Sequence, residues 1–223
     1  MITVSENWKT TYPSAYFGVL AMEGIDNSIG NPGIEARKTR LEEELRRRYL
    51  GRSRKDFLEV DNLALYERHF RKFGQGYPVL HQLETVALKG KPILSPSSLV
   101  AAMFMVELKN GFLTAGHDLE KVFRPMVLDV AEGNETYQSM GGKDRKLQKG
   151  DMFLSDRDGI LSSLLYGPDN RSHITLETSR ALFTVYGVPS LGTRELHRHL
   201  EEIEELVFVL SPGAARVKLG VYP

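Results

Sequence analysis

Apolar and polar positions divide the chain into an early helical part and a later strand-rich part. The run Ala15–Met22, following Pro13, is apolar at nearly every position and predicts a buried strand that ends at Gly24 and Asp26-Asn27. Asn31-Pro32-Gly33 marks a turn, after which Ile34, Leu41, Leu45 and Tyr49 share one face of a helix over 34–50. Leu63, Tyr66, Phe70 and Phe73 predict a second helix, closed by Gly74. Leu80, Leu83 and Ala87 predict a third, with Pro78 in its first turn and Gly90 at its end. Leu99–Val106 is apolar all round and reads as a buried helix. Ser97 and Ser98 stand ready to cap its start, and Gly111 falls just past its end.

Beyond Asp118 the period shortens. Met126–Val130 and Met152–Leu154 predict strands, Gly141-Gly142 a hairpin turn, and Asp156–Gly159 another turn. Gly159–Tyr166 and Ala181–Val188 complete the strands. A last helix starts near Thr193 with Leu196, Leu200, Ile203 and Val207 at helical spacing. Helices first and strands later predict an α+β class. No linker-like stretch interrupts 1–223, so a single domain is expected.

Charge narrows the partners. The chain has 29 basic and 29 acidic side chains, so nothing steers the whole molecule toward nucleic acid. The segment 37–55 is the exception. It holds nine basic residues against Glu42, Glu43 and Glu44, an excess of +6. A solvated helix face and a phosphate-contacting surface weigh about equally for it; in the second case Arg46, Arg47 and Arg48 contact the phosphates. The absence of cysteine removes disulfides, thiolate nucleophiles and cysteine-held zinc, and is compatible with a cytoplasmic protein. No apolar run approaches the roughly 18 residues of a membrane span, and residues 1–9 lack an apolar signal core.

Familiar catalytic templates are missing: no Gly-x-Ser-x-Gly, no phosphate-binding glycine loop, no His-Glu-x-x-His. No metal, cofactor or obligate protein partner is expected. His197-x-His199 lies in the last helix, where i and i+2 point apart, and reads as surface. Asp156-x-Asp158-Gly159 reads as a turn and not as a cation loop. Ala115-Gly116-His117-Asp118 stands out, because two small residues before a histidine leave room for something to approach the backbone. Ser162-Ser163 either donate to a ligand or satisfy a strand edge.

The run Val106–Val122, together with Pro125–Ala131, Met140-Gly141-Gly142 and Ser172–Thr178, resembles the B3/B4 editing module of the phenylalanyl-tRNA synthetase beta subunit. The resemblance covers most of the chain and is closest to the free-standing members of that family. It implies a B3/B4-like fold, with helices packed on mainly antiparallel strands. It also implies hydrolysis of the ester joining a wrong amino acid to the terminal adenosine of tRNA, in trans. The implied pocket lies between 113–118, 162–167 and 172–178. Within it His117 and His173 are the candidate catalytic residues, to orient water or donate to the oxyanion, the alternative being that His117 packs against the apolar helix and His173 caps the turn before Thr175. Ala115, Gly116, Asp118, Ser162, Ser163, Tyr166, Asp169, Thr175 and Glu177 would contact the substrate.

Three positions depart from the synthetase module. Ala115 stands where the module has a histidine, His117 where it has an aromatic residue, and His173 where it has a glutamate. The polar replacements predict a polar amino acid in place of tyrosine, such as the arginine analogue canavanine on arginine tRNA. A non-catalytic tRNA-binding module and a small-ligand-binding protein on the same fold are the alternatives.

Overall fold

A computed structural model describes residues 2–223. In chain order the elements are β1 (Ile2–Val4), α1 (Glu6–Thr11), β2 (Tyr16–Glu23), α2 (Pro32–Arg48), α3 (Asp61–Arg71), α4 (Pro78–Ala87) and α5 (Ser98–Asn110). There follow β3 (Thr114–Asp118), β4 (Met126–Val130), β5 (Thr136–Ser139), β6 (Lys143–Lys146), β7 (Met152–Asp156), β8 (Gly159–Ser163) and β9 (Gly167–Pro168). The chain ends with β10 (Arg180–Gly187), α6 (Thr193–Leu210) and β11 (Ala215–Tyr222). Short 3₁₀ turns lie at Arg54–Glu59 and Leu119–Lys121.

The strands form a four-stranded sheet, order β11-β2-β10-β3, a five-stranded sheet, order β1-β4-β7-β8-β9, and the hairpin β5-β6. Every pairing is antiparallel except β1 with β4. The α+β class holds, with helices packed on mainly antiparallel strands. β2 and β10 are buried on both faces, which is why their sequences lack alternation. Helices cover one face of the four-stranded sheet: the Cβ direction of Gly18 meets Leu196 and Leu200 of α6, and that of Gly116 meets Met103 of α5. The five-stranded sheet lies against the other face, where Ser162 of β8 bonds Tyr186 of β10 at 2.9 Å.

Local signals explain the helix ends. The Ser97 hydroxyl accepts from the Val100 amide, and Gly111 takes the left-handed conformation at φ 74°. Asn31 accepts from the Gly33 and Ile34 amides ahead of α2, with Pro32 in its first turn.

The structure differs from the sequence reading at several points. The sequence gives no sign of β1, α1 and β11; the first two are short, and β11 is an edge strand with no buried position. The strand expected over Gly159–Tyr166 stops at Ser163, because the Ser163 hydroxyl accepts from the Tyr166 amide and closes a turn. His199 is not a surface residue. Two positions on a helix lie about 200° apart, so His197 points outward while His199 is buried, 2.8 Å from the Thr114 hydroxyl and against Phe112. Burial pushes its pKa down to about 3.

Candidate functional site

The site is built on β3, the edge strand of the four-stranded sheet. Its free edge is covered by the segment 172–178. Asp118 donates its amide to the Ser172 carbonyl at 2.6 Å, and His117 and His173 stand opposite each other in an antiparallel bridge. The space left by the small residues is occupied from within. A Cβ on Gly116 would lie 2.6 Å from Ile174 Cδ1 and 3.2 Å from Met103 Sδ. The Ala115 carbonyl accepts from the Thr184 hydroxyl at 3.4 Å.

The covering segment is tied down at both ends. Asn27 donates to the Thr175 carbonyl at 2.7 Å and accepts from the Leu99 amide at 3.1 Å. The Thr178 hydroxyl accepts from the Thr175 amide and donates to Asp118 Oδ2. Asp118 Oδ1 caps the following 3₁₀ turn through the Glu120 amide. Asp118 and Thr175 therefore hold the segment's shape. Glu177 is exposed, and a hydrogen bond from the Thr175 hydroxyl lowers its pKa.

Strand alternation sends Thr114 and Gly116 toward the helices and His117 toward the other sheet. The His117 ring is fully buried. Its Nδ1 lies 2.8 Å from Ser172 Oγ, and its Nε2 has no partner among the described residues. Burial pushes its pKa down to about 3, the Arg171 charge adding to the effect and Asp156 opposing it. Ser172 donates its amide to Asp169 Oδ1 at 2.9 Å and its hydroxyl to the same oxygen. Asp169 Oδ2 faces Arg171 Nε at 3.5 Å. Arg171 also binds Asp156 at 2.9 Å and the Lys121 carbonyl at 2.6 Å, so each of its three guanidinium nitrogens has a partner.

Asp169 opens onto a cleft of about 290 Å³ whose walls include Tyr137, Gln138, Asp158, Ile160, Asn170 and Arg171. The charged side chains of its lining are all paired, Asp158 to exposed Arg157 and Asp169 to Arg171. His173 is bound to Asn170, one of the cleft's wall residues. Its Nδ1 is 2.8 Å from the Asn170 carbonyl, which can only accept. Nδ1 therefore donates to that carbonyl, and Nε2 is the nitrogen left over on a half-buried ring.

The remaining expected site residues fall into two groups. Ser162 is fully buried between the sheets against Tyr186. Ser163, which accepts from the Tyr166 amide, lies beside Asp151, a buried carboxyl whose Oδ2 has no partner among the described residues and whose pKa burial pushes up to about 7. The Tyr166 hydroxyl accepts from Gln148, and Arg145 lies over its ring. The structure thus joins His117, Asp169 and His173 through residues the sequence reading passed over: Ser172, Asn170 and Arg171. The Asp-x-x-Ser spacing of 169–172 was the available signal, since a carboxylate readily accepts from an amide three residues on.

On α2 the three arginines differ. Arg46 bonds Glu42 at 3.1 Å and the Gly90 and Lys91 carbonyls. Arg47 and Arg48 are exposed and have no ion-pair partner among the described residues. No helix of the described residues is long and apolar enough to cross a membrane. No group of three or more metal-ligating side chains occurs among them.

No curated protein matches this chain. An N-terminal fragment of the phenylalanyl-tRNA synthetase beta-subunit from Pyrococcus horikoshii shares its fold, with a TM-score of 0.50 at 12% identity. The match covers 100% of this chain and 54% of that one, so the chain spans about half the length of that fragment. A family model described as the B3/4 domain matches residues 83–206, a stretch holding α5, β3, the covering segment and the cleft. By that match over more than half its length, the chain belongs to the B3/4 domain family.

Proposed function

We propose that the protein is a trans-acting deacylase that hydrolyses the ester of a mischarged tRNA. The observation that carries the reading is the cleft that Asp169 lines, with the half-buried His173 bound to its wall residue Asn170. An aminoacyl ester is already activated and always carries an amino group that is cationic when protonated. Asp169 meets that cation, or a cationic side chain, within the cleft. His173 orients water toward the ester carbonyl, with the ribose hydroxyl of the substrate beside it. No protein nucleophile is needed. The buried His117 acts from behind the cleft floor through Ser172 and Asp169. Arg47 and Arg48 supply contacts to the tRNA backbone, and the cytoplasm is the compartment where such a substrate is met.

A panel of mischarged tRNAs tests the reading. A tRNA carrying a polar or cationic residue, canavanyl-tRNA for arginine among them, should be hydrolysed fastest. His173→Ala should lower kcat by about 10² while the melting temperature stays near wild type. Faster hydrolysis of tyrosyl-tRNA would overturn the specificity. The burial of the His117 ring favours a second reading, a tRNA-binding module without chemistry. Tight binding of tRNA without loss of any ester would establish it.

A further inference from the structure

Ser172 is where the buried imidazole and the cleft carboxylate meet. Its hydroxyl has a single proton. Salt-bridged to Arg171, the Asp169 carboxylate has only lone pairs to offer, so that proton goes to Asp169 Oδ1. The Ser172 amide donates to the same oxygen at 2.9 Å and fixes its place. Ser172 Oγ therefore turns a lone pair toward His117, and Nδ1, at 2.8 Å, is the donor. A doubly protonated ring would bury an Nε2–H with no acceptor, so the ring stays neutral with Nε2 bare.

We infer that Ser172 is a positioning residue: it locks His117 in the Nδ1–H tautomer, and through the same hydroxyl it holds the Asp169 carboxylate in one orientation at the cleft. The three residues form a directed chain, His117 Nδ1–H to Ser172 Oγ–H to Asp169, anchored at its far end by Arg171 and Asp156. Each group can point only one way, because each neighbour has only the complementary role left. Such a chain is worth more than its separate bonds, since breaking one link frees the direction of the others. The orientation of Asp169 matters to catalysis only on the deacylase reading; the tautomer does not depend on it.

Long-range proton–nitrogen spectra of protein labelled in its histidine rings test the inference. In the wild type, His117 should show a protonated Nδ1 and a bare Nε2, unchanged between about pH 5 and 8, where an ordinary histidine titrates. Ser172→Ala removes the acceptor, and an Nε2–H signal should appear. Ser172→Thr keeps the hydroxyl and should keep Nδ1–H. In the deacylation assay Ser172→Ala should lower kcat about tenfold or more with KM little changed, and Ser172→Thr should restore most of it. A wild-type His117 protonated at Nε2, or a Ser172→Ala spectrum identical to wild type, overturns the inference. The wild-type spectrum decides the tautomer even where a variant fails to fold. If the tautomer is as expected and the wild type hydrolyses no mischarged tRNA, the deacylase reading falls and the role of Ser172 in holding the two side chains stands.

Discussion

At the residue scale the chain keeps several ionisable groups where their charge is unwelcome, and Glu107 is the one with a measurable consequence. It lies on α5, fully buried, accepting from the Thr114 amide at 2.6 Å through one oxygen, while the other has no partner among the described residues. Burial pushes its pKa up to about 8, against the pull of the Thr114 amide. The folded value thus exceeds the unfolded one of roughly 4.3. The neutral carboxyl's contribution to stability is complete below the unfolded value and is lost as pH rises to about 8. Glu107→Gln keeps the acceptor and carries no charge at any pH. The variant's melting temperature should therefore gain on the wild type steadily between about pH 5 and 8. A constant offset across that range would show that Glu107 ionises normally. None of this was legible in the sequence. Glu107 sits in an apolar helical run as an apparent solvent-facing exception, and only the return of β3 onto α5 reveals its burial. His117 was legible as a candidate for the opposite reason, because Ala115 and Gly116 advertise a close approach. What approaches is Ile174, a residue distant in the chain that left no local mark.

At the element scale the strongest periodic stretches were the most legible. α5 has its cap, its all-round apolar surface and its terminal glycine in sequence, and it folds over Ser98–Asn110. β2 and β10 were legible because strands buried on both faces are unbroken apolar runs. β11 was not, because an edge strand reading Ala-Arg-Val-Lys-Leu has its pairing decided by β2 and not by its own residues. The basic excess of α2 was legible as charge, but not as division of labour. Arg46 is occupied with Glu42 and with the carbonyls that follow α4, whereas Arg47 and Arg48 extend into solvent. On the tRNA-binding proposal, Arg47→Glu with Arg48→Glu should weaken tRNA binding and reduce the slope of log K against log salt by about 2, one unit for each phosphate no longer neutralised. The melting temperature should hardly move, since neither side chain is buried or paired. Arg46→Glu places like charge beside Glu42 and frees two carbonyls, so it should cost stability as well. Unchanged affinity and salt slope in the double variant would make this surface a solvated face only.

At the scale of the whole molecule, segments far apart in sequence close the same core. Trp8 of α1, Phe17 of β2, Leu99 of α5, Leu128 of β4 and Leu200 of α6 belong to one buried apolar cluster. Asn27 is the polar counterpart of that closure. Its amide donates to Thr175 in the segment covering β3, and its oxygen accepts from Leu99 at the start of α5, so three distant stretches meet on one buried side chain. Such an arrangement predicts a single cooperative unit over 1–223, as the lack of a linker in the sequence also does. Trp8, the only tryptophan, is fully buried on α1 and reports the docking of the N-terminal segment. Its fluorescence and the far-ultraviolet circular dichroism should melt in one coincident transition. Asn27→Ala leaves the Leu99 amide and the Thr175 carbonyl without their partner, at a cost of about 1–3 kcal/mol for each group that stays dry. For a chain of this length each kcal/mol lowers the melting temperature by about 2–4 °C. Both signals should therefore shift down together by several degrees, although Trp8 is on α1 and Asn27 lies in the loop between β2 and α2. A fluorescence transition that stays in place while the circular dichroism shifts would divide the chain into two units, with the covering segment and α5 on one side and the N-terminal segment on the other.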